Sequence, residues 1–323
     1  MYKYSVIVPI YNMESYLEKS IKSVIGQNRC DVQLVLVNDG SKDRSLEICM
    51  QYESENVLII NKENSGSMDS WIQGVNSCSG EYICFLDSDD MICENYFTIL
   101  DKYVDKYDMV IFDFYRKYKN ECIRARVNNL PYGEISNEYL GALKKDYFSN
   151  YKLCSCYRWD KVIRAEIIKN YLEEIQCRIV YFEDMISGVL NLLNVKNAIY
   201  IDEALYFYRM RRSSVSHGKE LNNRIFWDNL TCENELMRIV DLWGYNEKAK
   251  YSLHLYFLFH YARYALRNNN ELEYQRVTLR DILSINGVTK KIILAMYKIK
   301  LKGVYNIFNN LYHKVKNEKK ILY

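Results

Sequence analysis

Apolar and polar positions follow two different periods along the first hundred residues. Tyr4–Ile10 (YSVIVPI), Val32–Val37 (VQLVLV), Val57–Ile60 and Tyr82–Leu86 are short, nearly unbroken apolar runs, the pattern of strands covered on both faces. Between them the period lengthens. Leu17, Ile21, Val24 and Ile25 share one helical face, with Asn12 as a candidate N-cap, and Ser41 or Asp43 is placed to cap a helix over Leu46–Tyr52. Met68, Trp71, Ile72 and Val75 line one face of a third helix, which Ser79-Gly80 ends. A helix over Tyr96–Val104 and a strand over Met109–Phe112 continue the alternation. Strand–helix–strand units in series predict an α/β fold, a mostly parallel sheet flanked by helices.

In such sheets ligands bind beyond the carboxyl ends of the strands. Tyr11-Asn12, Asn38-Asp39-Gly40, Glu63-Asn64 and Asp87-Ser88-Asp89 all fall there, which places four polar clusters on one rim. If the chain stays extended through Asp87-Ser88-Asp89-Asp90, then Asp87 and Asp89 point the same way and Asp90 points away. Two such carboxylates suit a hard divalent cation, Mg2+ or Mn2+, which takes oxygen ligands and keeps positions for water and phosphate. The alternative is an acidic turn in which Asp89 or Asp90 caps the next helix.

From about Arg116 the regularity fades, and residues 218–285 read as helical, with aromatic runs such as SLHLYFLFHYARYAL. The expected division is 1–115 for the first half of the sheet domain, 116–217 for its second half, and 218–323 for a helical C-terminal region. Charge adds one exclusion: a net charge of +3 over 323 residues gives no overall electrostatic support for nucleic-acid binding. The 10 cysteines are scattered without a C-x-x-C pair, which predicts reduced thiols and a cytoplasmic setting. The N-terminus reads as lacking a signal peptide, and no apolar run is long enough to span a bilayer. Near the C-terminus, Tyr297, Leu301, Val304, Phe308, Leu311 and Val315 form an apolar stripe flanked by lysines. That stripe suits an anionic membrane surface, and equally the body of the protein or a partner.

The segments VIVPIYNMESYLEKSIKSVIGQ, LVLVNDGSKDRSLEI, ENSG and SGEYICFLDSDD, followed by Trp159–Lys161, YFEDMISGVL and YFYRMRRSSVSH, resemble the family-2 inverting glycosyltransferases of the GT-A fold, bacterial surface-polysaccharide type. The likeness covers residues 3–95 most strongly. It implies transfer of a sugar from a nucleoside-diphosphate sugar, a UDP-sugar by the uracil pattern, to a glycan or lipid-linked glycan acceptor. By resemblance, Pro9, Tyr11 and Glu14 would contact the nucleoside, with Asn12 and Asn64 on the same rim, and Asp39 would accept a hydrogen bond from the base. Asp87 and Ser88 would lie near the ribose and donor sugar. Asp89, with Asp87, would hold the metal, and Asp184 of the Glu183-Asp184 pair would be the catalytic base.

Glu183 is the rival base, and a simple helix cap is the other reading of that pair. His217 is a secondary candidate for the metal shell, its alternative being a surface histidine; His254 and His260 read as packing residues. Family members often carry Ala-Arg-Asn where this chain has Ser70-Trp71-Ile72. A phosphate-contacting arginine is therefore missing there, and Arg209, Arg211 and Arg212 are the candidates to replace it. Tyr115, Tyr118, Tyr157, Trp159 and Tyr181 could stack on an acceptor sugar, but with 31 tyrosines in the chain none is selective. Two competing readings stand beside the transferase. A sugar-nucleotide pyrophosphorylase would need a glycine- and arginine-rich loop where PIYNMES stands. A non-catalytic, membrane-associated assembly subunit would have a degenerate donor site.

Overall fold

The apolar runs of the N-terminal half become neighbouring strands of one sheet. This is seen in a computed structural model that describes residues 2–146, 154–211, 223–245, 247–268, 279–284 and 288–298. The strands β1 (Tyr4–Ile10), β2 (Val32–Asp39), β3 (Val57–Lys62) and β4 (Tyr82–Phe85) are all parallel, in the order β3-β2-β1-β4. Their connections carry α1 (Leu17–Ile25), α2 (Ser45–Met50) and α3 (Ser67–Ser77). Every residue of β2 and β4 is buried, as unbroken apolar strands require. Helix α3 lies close on β1 and β2: at Gly74 an added Cβ would come within 2.4 Å of Ile7 Cγ2, so only glycine lets the helix approach this far.

The chain continues through β5 (Met91–Ile92), α4 (Tyr96–Leu100), β6 (Met109–Lys117), β7 (Cys122–Ala125), β8 (Gly133–Ile135), α5 (Asn137–Asp146), β9 (Lys161–Arg164), α6 (Ala165–Leu172), α7 (Glu183–Asn194) and β10 (Ala198–Arg209). Strand β9 pairs antiparallel with both β4 and β6, and β10 runs parallel to β6. The sheet thus becomes mixed beyond β4 but stays continuous. Regular structure does not fade at Arg116. Strand β6 runs five residues past the expected Phe112 because its outer half pairs with β7 and β10, partners distant in sequence. The main core is the packing of Val6, Val8, Leu34, Leu36, Tyr82 and Cys84 with Leu17, Ile21, Phe97 and Leu100. Fully burying each such aliphatic side chain contributes about 1.5–3 kcal/mol.

Residues 1–218 and 219–323 form two compact units. The second unit holds α8 (Asn223–Leu242), α9 (Glu247–Asn268), α10 (Leu279–Ser284) and α11 (Val288–Lys298). Leu258, Phe259 and Ala262 of α9 pack on Ile293 and Leu294 of α11. His260 is in ring contact with Tyr256, and burial lowers its imidazole to about 4; His254 pairs with Glu233. Of the tail stripe, Tyr297 packs edge-on against Tyr261, and Leu301 to Val315 lie outside the described residues. Among the described residues no helix is long and apolar enough to cross a membrane.

Candidate active site

The loops after β1, β2 and β3 are laced together by side chains that carry no apolar signal. Asn12 adopts a φ of 54°, and its Oδ1 accepts the Lys42 N–H, while its own N–H donates to Ser41 Oγ. Asn12 therefore ties two loops and does not cap α1, which begins after Tyr16. Glu14 accepts the Arg44 N–H at 3.0 Å, and Asp43 accepts from the N–H groups of Glu14 and Ser45. Gly40 has a φ of +64°, and a Cβ there would lie 2.8 Å from the Asn64 nitrogen. The loops can close on each other only because that residue is glycine.

Asp39 is buried at the end of β2. Its carboxylate accepts the N–H groups of Ser65 and Gly66 at 2.8 and 2.9 Å and pairs with Lys62. Three of roughly four lone-pair positions are used, which leaves one for an incoming donor. Asn64 donates to the Asp39 carbonyl; Tyr11 is 43% exposed on the rim, and Pro9 sits within β1 beside Val37.

Beyond β4 the chain does not stay extended. The Asp90 N–H bonds back to the Asp87 carbonyl, which makes Asp87–Asp90 a tight turn. Asp90 faces inward and accepts from Tyr206 Oη at 2.9 Å and the Arg209 N–H at 2.7 Å. It is a structural anchor between the turn and β10. Ser88 is buried. Asp87 and Asp89 are both partly exposed, and the Asp87 carboxyl is pushed up to about 7 by burial first and then by repulsion from Asp89 and Asp184. Asp89 forms an ion pair with Arg211. Arg209 is occupied differently: its Nε donates to the Asp89 carbonyl, and its guanidinium lies over the Tyr16 ring. Arg212 and His217 lie outside the described residues.

Glu183 and Asp184 form the first turn of α7, where the helix dipole favours acids. The preceding Phe182 sits at φ 70°, an uncommon conformation for an aromatic residue, and it sets where the helix begins. Glu183 accepts from Ser67 Oγ at 3.0 Å, and burial, then repulsion from Asp184, raises its carboxyl to about 7. Between these acids and Asp87 lies Arg158, which the sequence did not mark. Arg158 Nη1 is 2.8 Å from Asp184 Oδ1, and Nη2 is 3.4 Å from Glu183 Oε1. The guanidinium rests over Trp71 at 5.1 Å and over Phe85 at 5.7 Å. Trp71, at the position where an arginine was missed, is thus the seat of a cation delivered from elsewhere in the chain. A hint was present in the sequence: an arginine two residues before a buried Asp160-Lys161 pair.

The side chains here fit a hard cation. Asp87 and Asp89 supply oxygen donors, and the mutual repulsion that raises Asp87 is what a divalent ion would relieve. Among the described residues no three His, Cys, Asp or Glu side chains converge as a ready cage. The remaining positions would fall to water and phosphate oxygens, as magnesium and manganese tolerate. Arg211 would have to leave Asp89.

Over 227 residues the chain is 32% identical to the glycosyltransferase GlyA of Streptococcus pneumoniae, a match covering 66% of this chain and 31% of that protein. Over 307 residues it is 28% identical to the minor teichoic acid biosynthesis protein GgaB of Bacillus subtilis, covering 88% and 32%. The chain thus spans about a third of the length of these two. A glycosyltransferase of Mycoplasma genitalium, MG060, aligns at 25% identity over 94% of this chain and 99% of its own. The fold is that of Staphylococcus aureus TarS residues 1–349, solved with UDP-GlcNAc, at a TM-score of 0.62 and 16% identity over 97% of this chain and 92% of that one. The model of glycosyl transferase family 2 matches residues 5–172, just over half of the 323, and the chain is a member of that family.

Proposed function

We propose that this protein moves a sugar, with inversion, from a UDP-sugar to a hydroxyl of a glycan or lipid-linked glycan in cell-surface polysaccharide synthesis. The observation that carries the reading is that Asp89 in the turn after β4 and Glu183 and Asp184 at the start of α7 lie close enough to Asp87 to repel its charge, in a chain of this family. Tyr11, with Pro9 beside it, offers the nucleoside a partly exposed ring, and Asp39 offers the base its remaining lone pair. Asn12, Glu14 and Asn64 act by holding the three loops in register. Asp87 and Ser88 face the donor sugar, and Asp89, with Asp87, would hold Mg2+ or Mn2+. When bound, that ion supplies positive charge for the departing diphosphate.

Asp184 takes the proton from the acceptor hydroxyl as its oxygen attacks the anomeric carbon from behind and the bond to UDP breaks. The Asp184 side chain is 32% exposed, open enough for a hydroxyl to reach. Arg211, with Arg209 beside it over Tyr16, is poised to exchange the Asp89 carboxylate for phosphate oxygens. Arg212 and His217 would act from the segment that follows. A cytoplasmic position, with the lysine-flanked tail against the inner membrane face, would give access to a lipid-linked acceptor.

A thermal-shift panel of nucleotide sugars with and without manganese tests the reading. One UDP-sugar is expected to raise the midpoint in a manganese-dependent way. No shift with any member of the panel rejects it.

A further inference from the structure

The most unusual group at the site is a buried guanidinium. Arg158 is 8% exposed, where a cation taken out of water must be paired to be tolerated. Its backbone is fixed on both sides. Cys156 lies against α7 so closely that a Cβ at Gly188 would come 2.7 Å from the Cys156 Cα, and Lys161 Nζ is bonded to the carbonyls of Ser155 and Tyr157. The loop is thereby clamped to the helix that carries Glu183 and Asp184. Trp71 has the complementary oddity: it is fully buried, yet its Nε1–H has no acceptor. A tryptophan in that state contributes its ring face, and that face carries Arg158.

We propose that Arg158 is the positioning residue for the Asp184 carboxylate and that Trp71 is the shelf on which it is aimed. Nη2 donates to Glu183 Oε1, while Nη1 holds Asp184 Oδ1 at 2.8 Å as an ion pair outside hydrogen-bond alignment, so one buried guanidinium keeps both carboxylates close to it. Oδ2 of Asp184 is left for the acceptor hydroxyl. Lysine, a point charge without a fork, could neutralise one acid but not orient both. The proposal rests on the reading of Asp184 as base.

The test uses the full chain carrying R158M, R158K, R158A or W71F, with UDP plus manganese as the binding probe and UDP release from a UDP-sugar as the turnover readout. In the absence of an acceptor, the oxygen of water bonds to the anomeric carbon, the bond to UDP breaks, and Asp184 receives the proton. R158M is expected to keep UDP affinity and KM within about threefold and to lose about a hundredfold in kcat, the scale of a misplaced base. R158K should fall between R158M and the parent. W71F should lower kcat several-fold at unchanged UDP affinity. Methylguanidine should restore part of the kcat of R158A, which a merely structural role would not allow.

An R158M protein with the parent's kcat overturns the proposal. A UDP affinity that falls with kcat also overturns it, because Arg158 would then be a donor ligand. If R158M does not fold, R158K and W71F decide the same comparison. A parent protein that neither binds UDP nor turns over any UDP-sugar removes the transferase reading and this proposal together, whereas an active parent with an indifferent R158M removes the proposal alone.

Discussion

At the scale of residues, the site separates carboxylates that hold the fold from those left for chemistry. Asp90 is fully engaged by Tyr206 and the Arg209 backbone, whereas the Asp89 carboxylate is paired with the Arg211 guanidinium and Asp184 with one arm of Arg158. Asp89→Ala should therefore abolish the manganese-dependent part of a UDP thermal shift while leaving the unliganded midpoint within about 2 °C. Asp184→Asn is expected to retain UDP binding and lose about a hundredfold or more in turnover, measured as UDP release. Asp90→Ala should do the reverse of Asp89→Ala, lowering the unliganded midpoint because it leaves Tyr206 and the Arg209 N–H without their acceptor. The sequence alone could not sort these acids. It placed Asp87 and Asp89 on one face by assuming an extended chain, but the turn closed by the Asp90 N–H is what brings Asp90 inward. Arg158 was illegible for a plainer reason. Its partners Trp71, Glu183 and Asp184 lie far from it along the chain, and no periodicity encodes such a meeting.

At the scale of elements, the parallel half of the sheet was legible because its strands are buried on both faces and so read as apolar runs. The half after Arg116 was not. Strand β10 alternates buried and exposed positions irregularly, and its register with β6 shifts between Tyr200 and Tyr206, so neither period of two nor unbroken apolarity marks it. The loop from Cys154 to Asp160 has no periodic signal, yet it packs against α7 so closely that a Cβ at Gly188 would lie 2.7 Å from Cys156 Cα. Gly188→Ala should force the Cys156 backbone away from α7, costing about 1–3 kcal/mol in urea unfolding and lowering turnover by moving Arg158. The same change at Gly141, where an added Cβ meets nothing within 4 Å, should stabilise α5 slightly.

At the scale of the whole molecule, the cluster of acids makes stability depend on pH in an uncommon direction. Asp87 and Glu183 rise from ordinary values of 3.8 and 4.5 to about 7, so the folded chain binds their protons more tightly than the unfolded chain does. The stability they contribute is complete below the ordinary values and is lost as pH rises through about 7. Metal-free protein should thus lose thermal midpoint from about pH 5 to about pH 8, whereas Asp31 and Asp101, held low with the help of Arg29, act in the opposite sense and only at acid pH. Manganese should restore the loss. The reverse trend in a calorimetric series would show that these acids are ionised without an added cation. The four tryptophans, finally, are unevenly placed: Trp71 and Trp159 are buried in the sheet unit, while Trp227 and Trp243 are 51% and 42% exposed in the helical unit. Iodide should quench the exposed pair and spare the buried pair. The residual emission is then an intrinsic optical gauge of the guanidinium's seat, able to follow ligand entry with no label attached.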